Sequence, residues 1–298
     1  MPDPILPGRP GLYLSMLQYG LLHYREFAAE HVEFYRQLKR RIGDVRGLRV
    51  LDIGCGKSYW LSLLLASDGA IVSGVDTEEV MPGRSLGKYR RIWNANGIER
   101  ALRTATWDVL FARPYLRALE REFGQPLRHD LVEVMRYDGV NLPFPDHSFD
   151  LVVSHEVFEH VSDMSALLSS LTRVMKPQAR TYIYVHSWTA ISGGHHIAWK
   201  HADSKPSRVV APWDHLRAGR HQHVPSWLNR LRADDYRRLF NERFDIEDWI
   251  DGSEEGRALL TPEIQAELRN YSPHELLTKG FTIIARPRPR TGQGTTTA

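Results

Sequence analysis

The stretch Leu48-Arg-Val-Leu-Asp-Ile-Gly-Cys-Gly56 decides how this chain folds. Its apolar half is too short for a helix and ends in glycine, as a buried parallel strand does. The strand delivers one carboxylate, Asp52, to a Gly-x-Gly turn. After the turn, from about Lys57 to Ser67, Trp60, Leu61, Leu64 and Leu65 recur on one face of a helix. A second apolar run, Ala70 to Asp76, ends in another carboxylate. Strand, glycine turn, helix and strand make one βαβ unit, whose crossover is right-handed.

Reading outward, the N-terminal side has an irregular Pro- and Gly-rich segment over residues 1–18. An amphipathic helix follows over 19–42, with Leu22, Phe27, Val32, Tyr35 and Leu38 at helical spacing. Residues 1–47 are therefore expected to precede the main domain. On the C-terminal side, residues 79–136 interrupt the alternation. Met81 to Arg91 reads as loop, and Ile98 to Gly124 as mostly helical with a break at Pro114. A helical excursion this long is expected to be a lid, a substrate-facing insert or a dimer surface. Leu131–Asp138, Phe149–His155 and Thr181–Ser187 read as further strands, and a helix stops at Pro177. Residues 233–243 look helical, and Phe244 to Ile250 and Gly280 to Pro287 look like late strands. The tail, 286–298, has almost nothing to bury and is expected to be disordered. The expected fold is α/β and doubly wound: a mostly parallel seven-stranded sheet, with a helical insert after strand two.

Composition excludes several functions. The chain has 298 residues and one cysteine, Cys55, so it has neither an internal disulfide nor a Cys-rich zinc site. No apolar run approaches a membrane span, and Met1 to Pro10 lacks the pattern of a signal peptide. A cytoplasmic protein without membrane contact is expected. A net charge of +3 argues against nucleic acid as the partner. The charge is uneven, however: residues 84–128 hold ten Lys/Arg against four Asp/Glu, which suits an anionic acceptor.

The glycine turn lets backbone come close to a ligand, and Asp76 stands where a carboxylate accepts from a ribose diol. A pyrophosphate would want a third glycine three positions after Gly56, where this chain has Tyr59. A sulfonium ligand with an amino-acid tail needs no phosphate cradle and is served by carboxylates such as Asp52. VLDIGCG over 50–56, followed by GVD over 74–76, resembles the first two motifs of the class I S-adenosylmethionine-dependent methyltransferases. Residues 137–154 resemble that family's D-x-x-x-LPF-x-D-x-SFD-x-V stretch. Glu156 to Val161 resembles the segment after strand four, and Leu171 to Pro177 resembles the L-x-R-V-L-K-P-G turn, with Gln178 in place of the glycine. The five pieces stand in family order and cover about residues 48–187. The resemblance implies a methyltransferase domain over 48–285, with S-adenosylmethionine as cofactor. It also implies roles by position. Asp52, Gly54, Cys55 and Gly56 would line the methionine moiety. Asp76 would hold the ribose, and Thr77 would flank the adenine. Asp138, with Gly139 beside it, would bond the adenine amino group. His155 would sit near the transferred methyl.

Moving a methyl group to an amine or hydroxyl also requires removing a proton, for which histidine is suited near neutral pH. Ligands of open α/β sheets lie beyond the carboxyl ends of the strands. His155, His186 and the Gly193-Gly-His-His196 loop fall there, and His155 and His195 are the expected bases. Further on, His201, His215, His221 and His223 lie among Trp199, Trp213 and Trp227, a mixture that suits a ring-shaped polar acceptor. Glu156, Glu159 and His160 form E-x-x-E-H, which a quinone-biosynthesis branch of the family uses for a divalent metal. His195, His196 and His201 lack a fixed carboxylate partner for zinc. Metal use is left open, and catalysis is expected not to need it. The expected function is methyl transfer to an oxygen of a small acceptor, a sugar or glycan precursor first and a natural-product ring second. N- or C-methylation, or a non-catalytic cofactor-binding partner subunit, are the alternatives, and a homo-oligomer fits either.

Overall fold

A computed structural model describes residues 8–81, 85–217 and 227–288, with backbone alone for 8–19. Seven strands form one sheet: β1 (Arg49–Ile53), β2 (Ile71–Asp76), β3 (Val132–Arg136), β4 (Phe149–His155), β5 (Met175–His186), β6 (Phe244–Asp251) and β7 (Gly280–Pro287). Their spatial order is β3-β2-β1-β4-β5-β7-β6. β7 is antiparallel to both neighbours, and the other ladders are parallel. The order reverses between β1 and β4, so their carboxyl ends open a crevice.

Helices cover both faces. One face packs α6 (Met164–Val174) and α7 (Ala233–Asn241) on a core that includes Val152, Leu168, Ile183 and Phe240. The other packs α1 (Gly8–Ile42), α2 (Trp60–Ser67) and α5 (Ala112–Phe123) around Val32, Leu38, Leu64, Leu119 and Val153. A smaller cluster joins Trp199 and Trp213 to α8 (Pro262–Glu267) and α9 (Pro273–Leu277).

Several sequence expectations need correction. α1 begins at Gly8, so the segment before residue 19 is helical; proline is tolerated in a first turn, where its missing N–H costs little. This helix contributes Ala28, Val32, Tyr35 and Leu38 to the core beside β1 and β4, so it is built into the main body. α2 starts at Trp60 rather than near Lys57, after Tyr59 in a left-handed conformation. The loop expected over 81–91 gives way to α3 (Leu86–Asn96), capped by Ser85, whose hydroxyl accepts from the Lys88 N–H. The insert is shorter than 79–136, because Val132–Arg136 is the edge strand β3. Pro177 lies inside β5, where the β4 register jumps from Met175 to Arg180 and no regular ladder bond is lost. Arg286 and Pro287 belong to β7; the tail from 289 on, with His221 and His223, lies outside the described residues.

Within the insert, α4 (Ile98–Thr106) runs through a π-helical turn, Trp107–Phe111, into α5. The extra residue of such a turn re-aims the side chains around it. Here Trp107 comes to lie 4.6 Å below the Lys57 ammonium. Two of the insert's cations are neutralised internally: buried Lys88 pairs with Asp108 at 2.7 Å, and Arg100 pairs with Glu78.

Candidate active site

The glycine turn is built as the sequence requires. Gly54 has φ +70°, and a Cβ there would fall 2.3 Å from Val157 Cγ2, so only glycine fits beneath that side chain. Gly56, at φ +64°, would meet no atom closer than 4.0 Å, so open space lies above its backbone. Asp76 ties the turn to β2: one carboxylate oxygen accepts from the Gly56 N–H at 2.9 Å and the other from the Glu78 N–H at 2.9 Å. Asp52 is 2% exposed and accepts from the Ser62 hydroxyl at 2.6 Å. Burial pushes its carboxyl up to about 7 against the pull of Ser62, and Asp76 adds to the rise. Thr77 and Gly139 abut, since a Cβ on Gly139 would lie 3.3 Å from Thr77 Cγ2. Asp138 is exposed and closes its own loop, accepting from the Val140 and Asn141 N–H groups and from Asn141 Nδ2. These three donors leave roughly one lone pair for a ligand. Cys55 is a buried packing residue whose thiol is driven well up by burial.

This geometry fits S-adenosylmethionine. A backbone cradle stands open above Gly56, with one buried carboxylate below it and another at the end of β2. Asp52, Gly54 and Gly56 would hold the methionine portion, and Asp76 the ribose.

The carboxyl ends of β4 and β5 carry a band of rings and charges that faces α1. His155 sits among Phe34 (4.5 Å between centroids), Trp60 (5.3 Å) and Tyr184 (5.1 Å). His31 stacks on Trp60 at 4.0 Å and meets the Tyr115 hydroxyl through Nδ1 at 2.7 Å. Burial drives the His31 imidazole down to about 3, with His155 adding to the fall, and burial lowers His155 too. His155 therefore forms one wall of an aromatic box.

Next to the box lies a polar group. Glu156 holds a left-handed backbone at φ 55°, as does His195 at φ 56°; strain of this kind persists where the surroundings over-determine it. Burial alone would raise the Glu156 carboxyl, yet His155, His186 and His195 together hold it down near 2. His186 Nδ1 lies 3.7 Å from Glu156, and its ring centroid is 4.9 Å from that of His195. His195 Nε2 lies 3.9 Å from Glu159, which is 3% exposed and pushed well up by burial. Burial takes the His195 imidazole down to about 3, helped by His186 and His160. Glu159, His160 and His195 offer ligand atoms within 4.8 Å of one another, whereas Glu156 turns toward His186. The E-x-x-E-H stretch forms a 3-10 turn, Phe158–His160, rather than the start of a helix. His196 caps its own short turn by accepting from the Ala198 N–H, and His201 lies 5.6 Å from the His23 ring, well apart from this group.

A cavity of about 700 Å³ opens between the residues after Gly56 and the insert, lined by Lys57, Trp107, Arg113, Arg117 and His129 among others. Burial, with Arg100 and Arg103 nearby, lowers the Lys57 ammonium to about 8. Trp107 continues through Tyr115 (5.7 Å) and His31 (5.8 Å) to His155 (6.1 Å), so rings connect this cavity with the box.

Sequence reasoning named the glycine turn, Asp76 and the histidines, but missed His31, Phe34, Tyr184, Ser192 and Glu255. Helical periodicity on α1 marked its core face, not the ring that turns toward β4. Nothing local marked Glu255.

Comparison with known proteins matches this architecture. A family model described as a methyltransferase domain matches residues 21–247. The chain is 28% identical over 163 residues to a ubiquinone biosynthesis O-methyltransferase of Sinorhizobium medicae, covering 55% of this chain and 50% of that protein. It is 26% identical over 140 residues to a sterol 24-C-methyltransferase of Gibberella zeae, covering 47% and 28%. It thus spans at most half the length of these relatives. Among solved structures, the putative methyltransferase complexed with the Trm112 activator of Haloferax volcanii superposes with a TM-score of 0.51 at 17% identity, covering 94% of this chain and 97% of that one, a likeness of fold. No helix among the described residues is long and apolar enough to cross a membrane. With its glycine turn, strand order and paired carboxylates, the chain belongs to the methyltransferase-domain family of S-adenosylmethionine-dependent class I methyltransferases.

Proposed function

We propose that this chain methylates an oxygen of a small anionic acceptor in the cytoplasm, a sugar or glycan precursor first and a natural-product ring second. The observation that carries the reading is the continuity of three parts. The glycine turn meets the aromatic box around His155, the box meets the imidazoles of β5, and a cationic cavity adjoins through Trp107. When bound, the cofactor supplies a methyl group already activated on a sulfonium. The protein's part is then alignment, exclusion of water and proton removal. Phe34, Trp60, His155 and Tyr184 wall the transfer path. Lys57, Arg113 and Arg117 attract the acceptor's negative group. The insert helices serve as the lid, and His195, with its neighbours on β4 and β5, stands where the acceptor proton leaves.

The test is release of S-adenosylhomocysteine from S-adenosylmethionine across a panel of sugar phosphates, uronic acids and phenols. Turnover with an anionic hydroxyl acceptor is expected. A protein that binds S-adenosylhomocysteine yet turns over no acceptor in the panel would instead be a non-catalytic cofactor-binding subunit. The sterol 24-C-methyltransferase relative favours carbon as the second choice of methylated atom.

A further inference from the structure

His186, Ser192 and Glu255 form a buried chain that the sequence reading did not connect. They are 9%, 5% and 6% exposed. Glu255 accepts from the Ser192 N–H at 2.9 Å and from its hydroxyl at 2.5 Å. The hydroxyl has one proton, and it is directed at Glu255. Ser192 Oγ therefore meets His186 Nε2, 2.7 Å away, as an acceptor. That fixes His186 with its proton on Nε2 and an open lone pair on Nδ1. Nδ1 faces Glu156 across 3.7 Å, beside the half-buried box.

We propose that Glu255 and Ser192 act as positioning residues that hold His186 in the Nε2–H tautomer, making Nδ1 the atom that takes the acceptor's proton. The inference rests on the methyltransferase reading above. The acceptor O–H gives its proton to Nδ1 as its oxygen bonds the methyl carbon. The carbon–sulfur pair stays on sulfur, which leaves uncharged. The proton remains on His186, between Glu156 and the Ser192 hydroxyl, until solvent removes it. His155 and His195 suit this role less well. His155 is enclosed by rings, and no hydrogen bond fixes His195 Nε2 among the described residues. The groups facing His186 are Glu156 and His155 from β4 and its following loop, Ser192 and His195 from the loop after β5, His215, Lys279 before β7, and Glu255 through Ser192.

Nitrogen-15 NMR of histidine-labelled protein at pH 7, with S-adenosylhomocysteine bound, tests the tautomer without any acceptor. His186→Gln identifies the resonances. The wild type is expected to show Nε2 protonated and Nδ1 bare. Ser192→Ala should mix the tautomers, and Ser192→Thr should restore one. A Nδ1–H tautomer, or no change in Ser192→Ala, overturns the proposal. Turnover is then measured with whichever panel acceptor releases S-adenosylhomocysteine fastest. Ser192→Ala should lower kcat about 10–100-fold and His186→Gln about 10²–10⁴-fold. Ser192→Thr should recover most of the rate, with S-adenosylhomocysteine affinity by calorimetry within about twofold throughout. Equal kcat in His186→Gln and wild type sinks the proposal, while loss of S-adenosylhomocysteine binding by the wild type sinks the reading beneath it.

Discussion

The two edges of the crevice are built differently. At the β1–β2 edge, one turn and two strand ends supply everything. Asp52, Gly54, Gly56 and Asp76 lie within 25 positions of sequence, and backbone N–H groups do much of the holding. At the β4–β5 edge, the side chains come from far apart: His31 and Phe34 from α1, Trp60 from α2, His155 and His186 from strand ends, and Glu255 from beyond β6. The first edge is a local motif, tolerant of change elsewhere. The second is an assembly, sensitive to how whole elements dock. A cofactor common to many enzymes suits the first arrangement and an individual acceptor the second.

The largest expected effect probes how tightly the local motif is packed. Gly54→Ala should cost about 2–3 kcal/mol of stability, from left-handed strain plus the collision with Val157. Adding Val157→Ala should return the collision share and leave about 1 kcal/mol of strain, as read by denaturant unfolding. A double variant no more stable than the single one would place the cost elsewhere. Next, Asp76→Ala should weaken S-adenosylmethionine binding by about 1–3 kcal/mol, or about 5–150-fold by calorimetry. Unchanged affinity in a folded variant would remove Asp76 from the ribose site.

These sites were legible for a physical reason. A turn that needs glycine, and a carboxylate at a strand end, leave their mark in adjacent residues. The strand order followed from the same alternation. The β4–β5 edge was half legible: His155 and His195 could be placed by strand ends, but their surroundings could not. Whether an imidazole is walled by rings or tied to a carboxylate depends on contacts such as Ser192 to Glu255, 63 positions apart. The start of α1 was misjudged because Pro and Gly at a first turn resemble a loop.

A smaller effect concerns pH. Asp52 is held near 7 by burial, so it is neutral in acid and ionised above that value. A cationic ligand favours the ionised form. Cofactor affinity should therefore fall as pH drops below about 7, at most about tenfold per unit. Asp52→Asn should flatten that slope in calorimetry, and an equally steep slope in the variant would assign the titration to another group. The smallest effect belongs to metal. Glu159 is buried and pushed up, so it carries its own proton at neutral pH. Turnover should survive exhaustive chelation unchanged. A loss that magnesium restores would make Glu159, His160 and His195 ligands and tie the second edge to an ion.

The π-helical turn at Trp107–Phe111 bears on how insertions and deletions are tolerated here. A helix advances about 100° per residue. Removing one residue from 107–111 would restore regular α-helix and rotate all of α5 by about that angle relative to α4. Tyr115 would swing away from His31, and Arg113 and Arg117 would swing out of the cavity. Relatives that differ by one residue at this point would share the cofactor turn and differ in the acceptor they hold.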